Sequence, residues 1–332
     1  MRPDPNDDGD RHRAADDVFE QTLEARDRLL LPPESYLHLP WAAVDALVGG
    51  IAPGDVWFVA GFSGNGKTTW LMNCVNELLE QGRTVYYLGL ETRPSVLRTH
   101  LVCLRLGIYP GDVLSGKAKG YPDWPTVRPT LIEALEVQRR MGERDRFITS
   151  GVRHVDAAAL RAASQDAALD KADVVVIDHV DHLRHGDGRN QHEESVRVVN
   201  LLLELAQDKH LRLLVATQCN NEAARGDRLG QYAPPQVHHV YMGSSKRMVA
   251  TGMLGLYRPL EPNVDKATLA DVRAGRREPT DVLAPNTMGV VVMKHRYYGG
   301  REGSRTTLRL EHGRLFDTPD RDRHTTTYGY QP

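Results

Sequence analysis

The consecutive residues Gly61-Phe62-Ser63-Gly64-Asn65-Gly66-Lys67-Thr68, with Thr69 next in line, put glycines, a lysine and a hydroxyl at the spacing G-x-x-x-x-G-K-[ST] of a phosphate-binding loop. Each type has a task at that spacing. The glycines let backbone N–H groups curl around phosphate oxygens, and the following helix adds the positive end of its dipole. Lys67 reaches the outer phosphates and Thr68 offers a hydroxyl to Mg²⁺, so the expected ligands are ATP and Mg²⁺. Three further residues complete a hydrolysis set. The run VVVID ends on Asp178, where an acid can organise the Mg²⁺ shell, and Glu91 directly follows VYYLGL, where it can orient or deprotonate water. Gln218 closes LRLLVATQ, at a position from which an amide can sense the terminal phosphate.

These residues need a scaffold that brings strand ends together, and the pattern of the chain supplies one. VWFVAG reads as a buried strand that leads through the glycine-rich loop into an amphipathic helix with Leu71, Cys74, Val75, Leu78 and Leu79 on one face, Gly82 following as a C-terminal cap. Strand Val85–Leu90, a helix over Pro94–Leu106, strand Phe147–Thr149, a helix over Ala157–Leu169, strand DVVVID, a helix over Glu194–Gln207 and strand LRLLVATQ continue the alternation. Short, fully apolar strands between amphipathic helices predict an α/β fold with a mostly parallel central sheet and helices on both faces. The last third, with strands at Gly252–Tyr257, Gly289–Lys294, Thr306–Leu310 and Leu315–Phe316, predicts antiparallel C-terminal edge strands.

The flanks differ in kind. Residues 1–17 hold six Asp and two Pro and are expected to be disordered; 18–35 should form an amphipathic helix, with Phe19, Leu23 and Leu30 on one face, and its connection. The main domain is expected over 36–317, and 318–332 reads as a frayed tail. Within the domain, the polar segment 258–288 is an insert too long for an ordinary connection, hence functional or disordered.

Composition excludes several classes. With 332 residues, 40% hydrophobic, 26% charged and a net charge of −2, the chain is an ordinary globular protein and not a uniformly basic nucleic-acid coat. It has no apolar run long enough to span a membrane and a polar, acidic N-terminus, so no membrane partner and a cytoplasmic location are expected. Cys74, Cys103 and Cys219 stand far apart and read as small core residues.

The order GGIAPGD, phosphate-binding loop, LGLE, VVVIDH, VATQCN, LYR and VVVMKHRYYG resembles the C-terminal motor domain of DnaB-like replicative helicases, within the RecA-like P-loop NTPases, over roughly 37–316. The resemblance implies that Glu91 is the catalytic base, that Asp178 organises Mg²⁺ and that Gln218 lies between nucleotide and DNA. It also implies that Lys294 and Arg296, around His295, reach into the next subunit's nucleotide site, where an arriving cation stabilises charge on the transferred phosphoryl group. Family members form rings, most often of six subunits, in which the helix before the motor docks on a neighbour; the partners implied are single-stranded DNA, further copies of this chain and replication proteins.

In such a ring, channel-facing loops grip phosphates. The candidates here are Arg184 and Arg189 after the VVVID strand, and Gly243-Ser244-Ser245-Lys246-Arg247, which resembles the family's Gly-Ser channel loop. His179, Asp181, His182, His185 and Asp187 have metal-ligand types at close spacing, but their place after the strand favours a polar turn over a metal site. No counterpart of the family's primase-engaging N-terminal domain is expected from this sequence, its loop interior Phe-Ser-Gly-Asn is shared by other RecA-like branches, and its insert has no clear family counterpart. A single-motor version of phage type is therefore expected. Two other readings fit the same motifs: a RecA-like recombination or annealing ATPase that does not unwind, and a KaiC-like regulatory ring whose hydrolysis ignores DNA.

Overall fold

The computed structural model describes residues 30–141, 146–150, 171–182, 191–220, 228–241 and 243–318. Outside the described residues lie the acidic leader, nearly all of the expected linker helix, the helix expected over 157–169, Arg184, Arg189 and residues 319–332. The chain divides into two units between Leu37 and His38. The first contributes the 3₁₀ turn Pro33–Ser35, opened by proline at its first position.

In the second unit, β-branched and aromatic runs become a nine-stranded sheet ordered β3-β2-β4-β5-β1-β6-β7-β8-β9. Its strands are β1 (Val56–Gly61), β2 (Val85–Gly89), β3 (Phe147–Ser150), β4 (Val174–Asp178), β5 (Arg212–Gln218), β6 (Gly252–Tyr257), β7 (Thr287–His295), β8 (Arg305–Glu311) and β9 (Arg314–Asp317). From β3 through β6 every pairing is parallel, whereas β6–β7, β7–β8 and β8–β9 are antiparallel. The expected α/β fold with a mostly parallel sheet and an antiparallel C-terminal edge is the observed one.

Among the described residues the helices of this unit are α1 (Ala42–Val48), α2 (Lys67–Glu80), α3 (Pro94–Leu106), α4 (Pro110–Ser115), α5 (Trp124–Met141), α6 (Gln191–Asp208), α7 (Gly243–Val249) and α8 (Lys266–Arg273). Strand alternation sends Phe58, Tyr86, Ile177 and Val215 to one face, where they pack with Val199, Leu202 and Leu205 of α6 and Val249 after α7's last turn begins. On the opposite face α2 packs over β1 and β2, and α3 over β3. Both faces are thus covered, which is why β1, β2 and β4 are buried at every position. The far edge is tied back as well: Trp41 donates its indole N–H to the Leu315 carbonyl at 2.9 Å and packs on Trp70.

Residues 258–288 fold. Asp265 caps α8 by accepting from the Thr268 N–H at 2.9 Å. Val272 and Val282 then close a small core with Leu229, against Tyr232, Leu260, Val264 and Leu269, while a bridge joins Leu260 to Leu283. Its scattered apolar residues thus meet at one point. A cavity of about 1230 Å³ opens between this insert and the edge strands, apart from the phosphate-binding loop. All three cysteines are buried and free. Among the described residues no helix is long and apolar enough to cross a membrane.

Candidate active site

Parallel register assembles the site. Gly61 at the end of β1 lies beside Gln218 at the end of β5, and Gly89 at the end of β2 lies beside Asp178 at the end of β4. Glu91 follows two residues beyond Gly89, so the residues expected to hydrolyse and to bind come from adjacent strand ends.

The phosphate-binding loop has the backbone its glycines predict. Gly64 and Gly66 adopt φ of +80° and +82°, and a Cβ on Gly66 would also meet the Met288 methyl at 2.7 Å. Gly66 is the N-cap of α2 and offers no side chain, which leaves the first-turn amides directed at an incoming anion. Phe62 is buried, whereas Ser63 and Gly64 are exposed. Asn65 is buried and pins the loop by donating to the carbonyls of Leu256 at 3.2 Å and Gln231 at 3.3 Å. Lys67 folds back to donate to Gly61 O at 2.9 Å and Phe62 O at 3.3 Å. Burial lowers its ammonium pKa, against the opposing pull of nearby groups that include Asp178, Asp181 and Glu91.

Thr68 Oγ1 donates to Asp178 Oδ2 at 2.8 Å, and Tyr87 OH donates to the same oxygen at 2.8 Å. A hydroxyl and a carboxylate converging beside the loop are the hard oxygen donors that Mg²⁺ takes, so these residues fit the ion. Burial, then the Asp178 charge, raise the Tyr87 hydroxyl, which keeps it a donor that orients Asp178. Sequence reasoning missed Tyr87; its signal is a polar tip on an inward strand position beside Val176.

Glu91 is exposed, with Oε2 3.6 Å from His179 Nε2. His179 is buried, and its Nδ1 lies 3.4 Å from Asp181 Oδ2. Asp181, singled out in sequence only as a metal-ligand type, is instead the hub of a polar network. It accepts from Gln218 N at 2.6 Å, Thr217 Oγ1 at 3.0 Å and Lys246 Nζ at 2.5 Å. Burial alone would raise this carboxyl; the His179 hydrogen bond and the Lys246 ammonium overcome it and hold Asp181 well below the usual carboxylate range. Among the described residues no group of three or more His, Cys, Asp or Glu is placed to hold a metal. His185 and Asp187 lie outside the described residues.

The expected Gly243–Arg247 channel loop is corrected: it is the helix α7. Gly243 is small because the Val237 carbonyl packs against it, not because the chain bends freely there. Lys246, expected on DNA, is 3% exposed and spends its three donors inward, on Asp181, on Thr217 Oγ1 at 2.7 Å and on Tyr241 O at 2.8 Å. Ser245 is also buried, whereas Ser244 and Arg247 are exposed, Arg247 with its guanidinium 3.6 Å from Glu302.

Lys294 and Arg296 stand at and just past the end of β7, away from the phosphate-binding loop of their own chain, because β7 runs antiparallel to β6 and ends beside Gly252. Both reach the C-terminal carbonyls of α7: Lys294 Nζ donates to Arg247 O and to Ala250 O at 2.6 Å, and Arg296 Nη2 to Met248 O at 2.9 Å. Burial, then the Arg296 and Arg247 charges, lower the Lys294 ammonium to about 8.

Comparison with known proteins bears on the family and the fold. The model of the DnaB-like helicase C-terminal domain matches residues 38–233. The DNA repair protein RadA of Mycobacterium tuberculosis is 27% identical over 191 residues, which are 55% of this chain and 38% of RadA. The chain therefore spans well under half the length of the curated relatives it matches. Among solved structures, a DnaB-like replicative helicase described with its interactions with primase superimposes with a TM-score of 0.66 at 12% identity, covering 90% of this chain and 67% of that one. The ATPase domain of G40P gives a TM-score of 0.66 at 12% identity, covering 91% and 99%. At such identity these likenesses concern the fold alone.

Proposed function

The chain belongs to the DnaB-like helicase C-terminal domain family, and from that premise we propose that it is an ATP-hydrolysing motor that assembles as a ring and moves along single-stranded DNA. The observation that carries the reading is the convergence of Thr68 and Asp178 at 2.8 Å beside Lys67, with Glu91 on the adjoining strand end.

The chemistry follows from these groups. The amides of the loop and the N-terminus of α2 hold the phosphates, and Lys67, already desolvated, neutralises their outer oxygens. Thr68 and Asp178 would hold Mg²⁺, which when bound supplies charge neutralisation for those oxygens. Glu91 accepts a proton from water as the water oxygen bonds to the terminal phosphorus and the bond to the bridging oxygen of ADP breaks. Gln218, half-buried beside Gly61, reports on that phosphate. Lys294 and Arg296 serve the neighbouring subunit's site, since their own chain holds them away from its own loop. Ser244 and Arg247 on α7, with Arg184 and Arg189, contact the DNA backbone; Lys246 is withdrawn from that set.

Arg296→Ala tests the trans role: turnover should fall at least a hundredfold while nucleotide binding changes less than threefold. Equal loss of both would contradict it. A second reading, an ATPase that pairs or coats single strands in repair without unwinding, is favoured by the likeness to RadA. Strand separation on a forked duplex decides between them, because a coating protein leaves the fork closed.

A further inference from the structure

Helix α7 touches both halves of the machinery. Near its middle, Lys246 is latched to Asp181, and Asp181 holds the Gln218 N–H at 2.6 Å while facing His179 at 3.4 Å, which in turn faces Glu91 at 3.6 Å. At its other end, the carbonyls of Arg247, Met248, Val249 and Ala250 accept from Lys294 and Arg296. A helix C-terminus leaves such carbonyls without intrahelical partners, and two cations satisfy them and the negative end of the dipole together. Arg247 adds a link to Glu302, whose Oε1 lies 3.4 Å from the His295 N–H between the two cations.

The Lys246 ammonium is buried yet has three acceptors at 2.5, 2.7 and 2.8 Å, one for each of its protons. Replacing a buried pair of this kind with apolar groups of similar volume is often neutral for stability, whereas its directed hydrogen bonds set one geometry. The anchoring also crosses the chain: Asp181 follows β4, Thr217 is the penultimate residue of β5 and Lys246 lies on α7, so the pair ties α7 to the ends of two strands that are already hydrogen-bonded to each other.

We propose that Asp181 and Lys246 are positioning residues that make α7 a strut between a subunit's own hydrolysis site and the Lys294/Arg296 pair that it presents to its neighbour. Movement at the Glu91 and Gln218 side, when phosphate arrives or leaves, is passed through the ion pair to α7 and changes how its carbonyls hold the two cations. The inference rests on the ring-motor reading given above and deepens it by naming the residues that couple one site to the next.

The test uses the full chain with Asp181→Asn/Lys246→Met, a double variant that removes both charges at near-constant volume and so avoids stranding either one. DNA-stimulated ATP turnover is measured alone, with increasing fractions of Lys67→Ala subunits mixed in, and in combination with Arg296→Ala. In the wild type, inactive subunits should depress turnover more steeply than their fraction. In the double variant the KM for ATP should stay within about threefold, kcat should fall tenfold or more, and the dependence on inactive subunits should become linear. In an Arg296→Ala background the double variant should lower turnover no further than Arg296→Ala does by itself, because the coupling then has nothing left to position. Thermal unfolding of the double variant within a few degrees of the wild type shows that folding is not the cause. A double variant that keeps the wild-type kcat and the steep mixing curve would overturn the inference while leaving the motor intact. A wild type without turnover above the Lys67→Ala blank would overturn the motor reading and this inference with it.

Discussion

A carboxylate that activates water must be reachable by water, and Glu91 is exposed whereas Asp178, the other acid at the strand ends, is buried under Thr68 and Tyr87. That division supports the proposed roles of proton transfer for Glu91 and metal organisation for Asp178. Glu91→Gln should accordingly reduce kcat by about 10²–10⁴-fold with little change in nucleotide affinity, as read by single-turnover hydrolysis beside a binding titration. A comparable loss of affinity would place Glu91 in binding instead. Lys294 adds a pH dependence. Its ammonium, lowered to about 8 by burial and by Arg296 and Arg247, is charged below that value and loses its proton above it. Turnover that needs this charge should therefore decline as pH rises through about 8, and Lys294→Arg, which stays charged, should remove the decline; an unchanged alkaline limb would assign the titration elsewhere. Most of these residues were legible in the sequence, since Gly61 to Thr68, Glu91, Asp178 and Gln218 each sit at a strand end that an apolar run marks. Tyr87 and Asp181 were not, because their significance lies in partners 91 and 65 residues away, Asp178 and Lys246.

Element by element, the strands were the plainest part, because a sheet covered on both faces writes continuous apolar runs that period and length identify. Helix α3 occupies the predicted span Pro94–Leu106, and α6, from Gln191 to Asp208, exceeds its predicted span slightly at both ends. α7 was misread for a physical reason. Gly-Ser-Ser has loop composition, yet Gly243 is demanded by close packing on Val237, and the helix is held by tertiary partners at its middle and its C-terminal end rather than by propensity. The insert was legible as an interruption but not as a fold, since Leu229, Val272 and Val282 meet only in space. Its small core gives a stability prediction: Leu229→Ala, at a buried position, should cost about 2–5 kcal/mol in urea unfolding. A loss under about 0.5 kcal/mol would mean that this core is open in solution.

For the molecule as a whole, the two cations at the end of β7 lie away from their own phosphate-binding loop, and the ring-motor proposal has them complete the hydrolysis site of a second copy. On that proposal nucleotide turnover is a property of the assembly, and with a near-neutral net charge of −2 the proposed DNA binding would rest on local groups rather than on the global field. Dilution should then separate binding from hydrolysis: below the concentration at which rings form, nucleotide still binds but specific activity falls, a result that mass measurement beside turnover would show. Activity per subunit that is constant across a hundredfold dilution, with monomers dominant, would argue for a site complete in one chain. The most direct test of the central claim is steady-state ATP hydrolysis across a titration of single-stranded DNA, with Lys67→Ala as the blank. A DNA-driven motor predicts turnover that rises at least tenfold to saturation and is absent in the blank. Steady turnover indifferent to DNA would contradict it and point to a ring that uses nucleotide as an assembly switch.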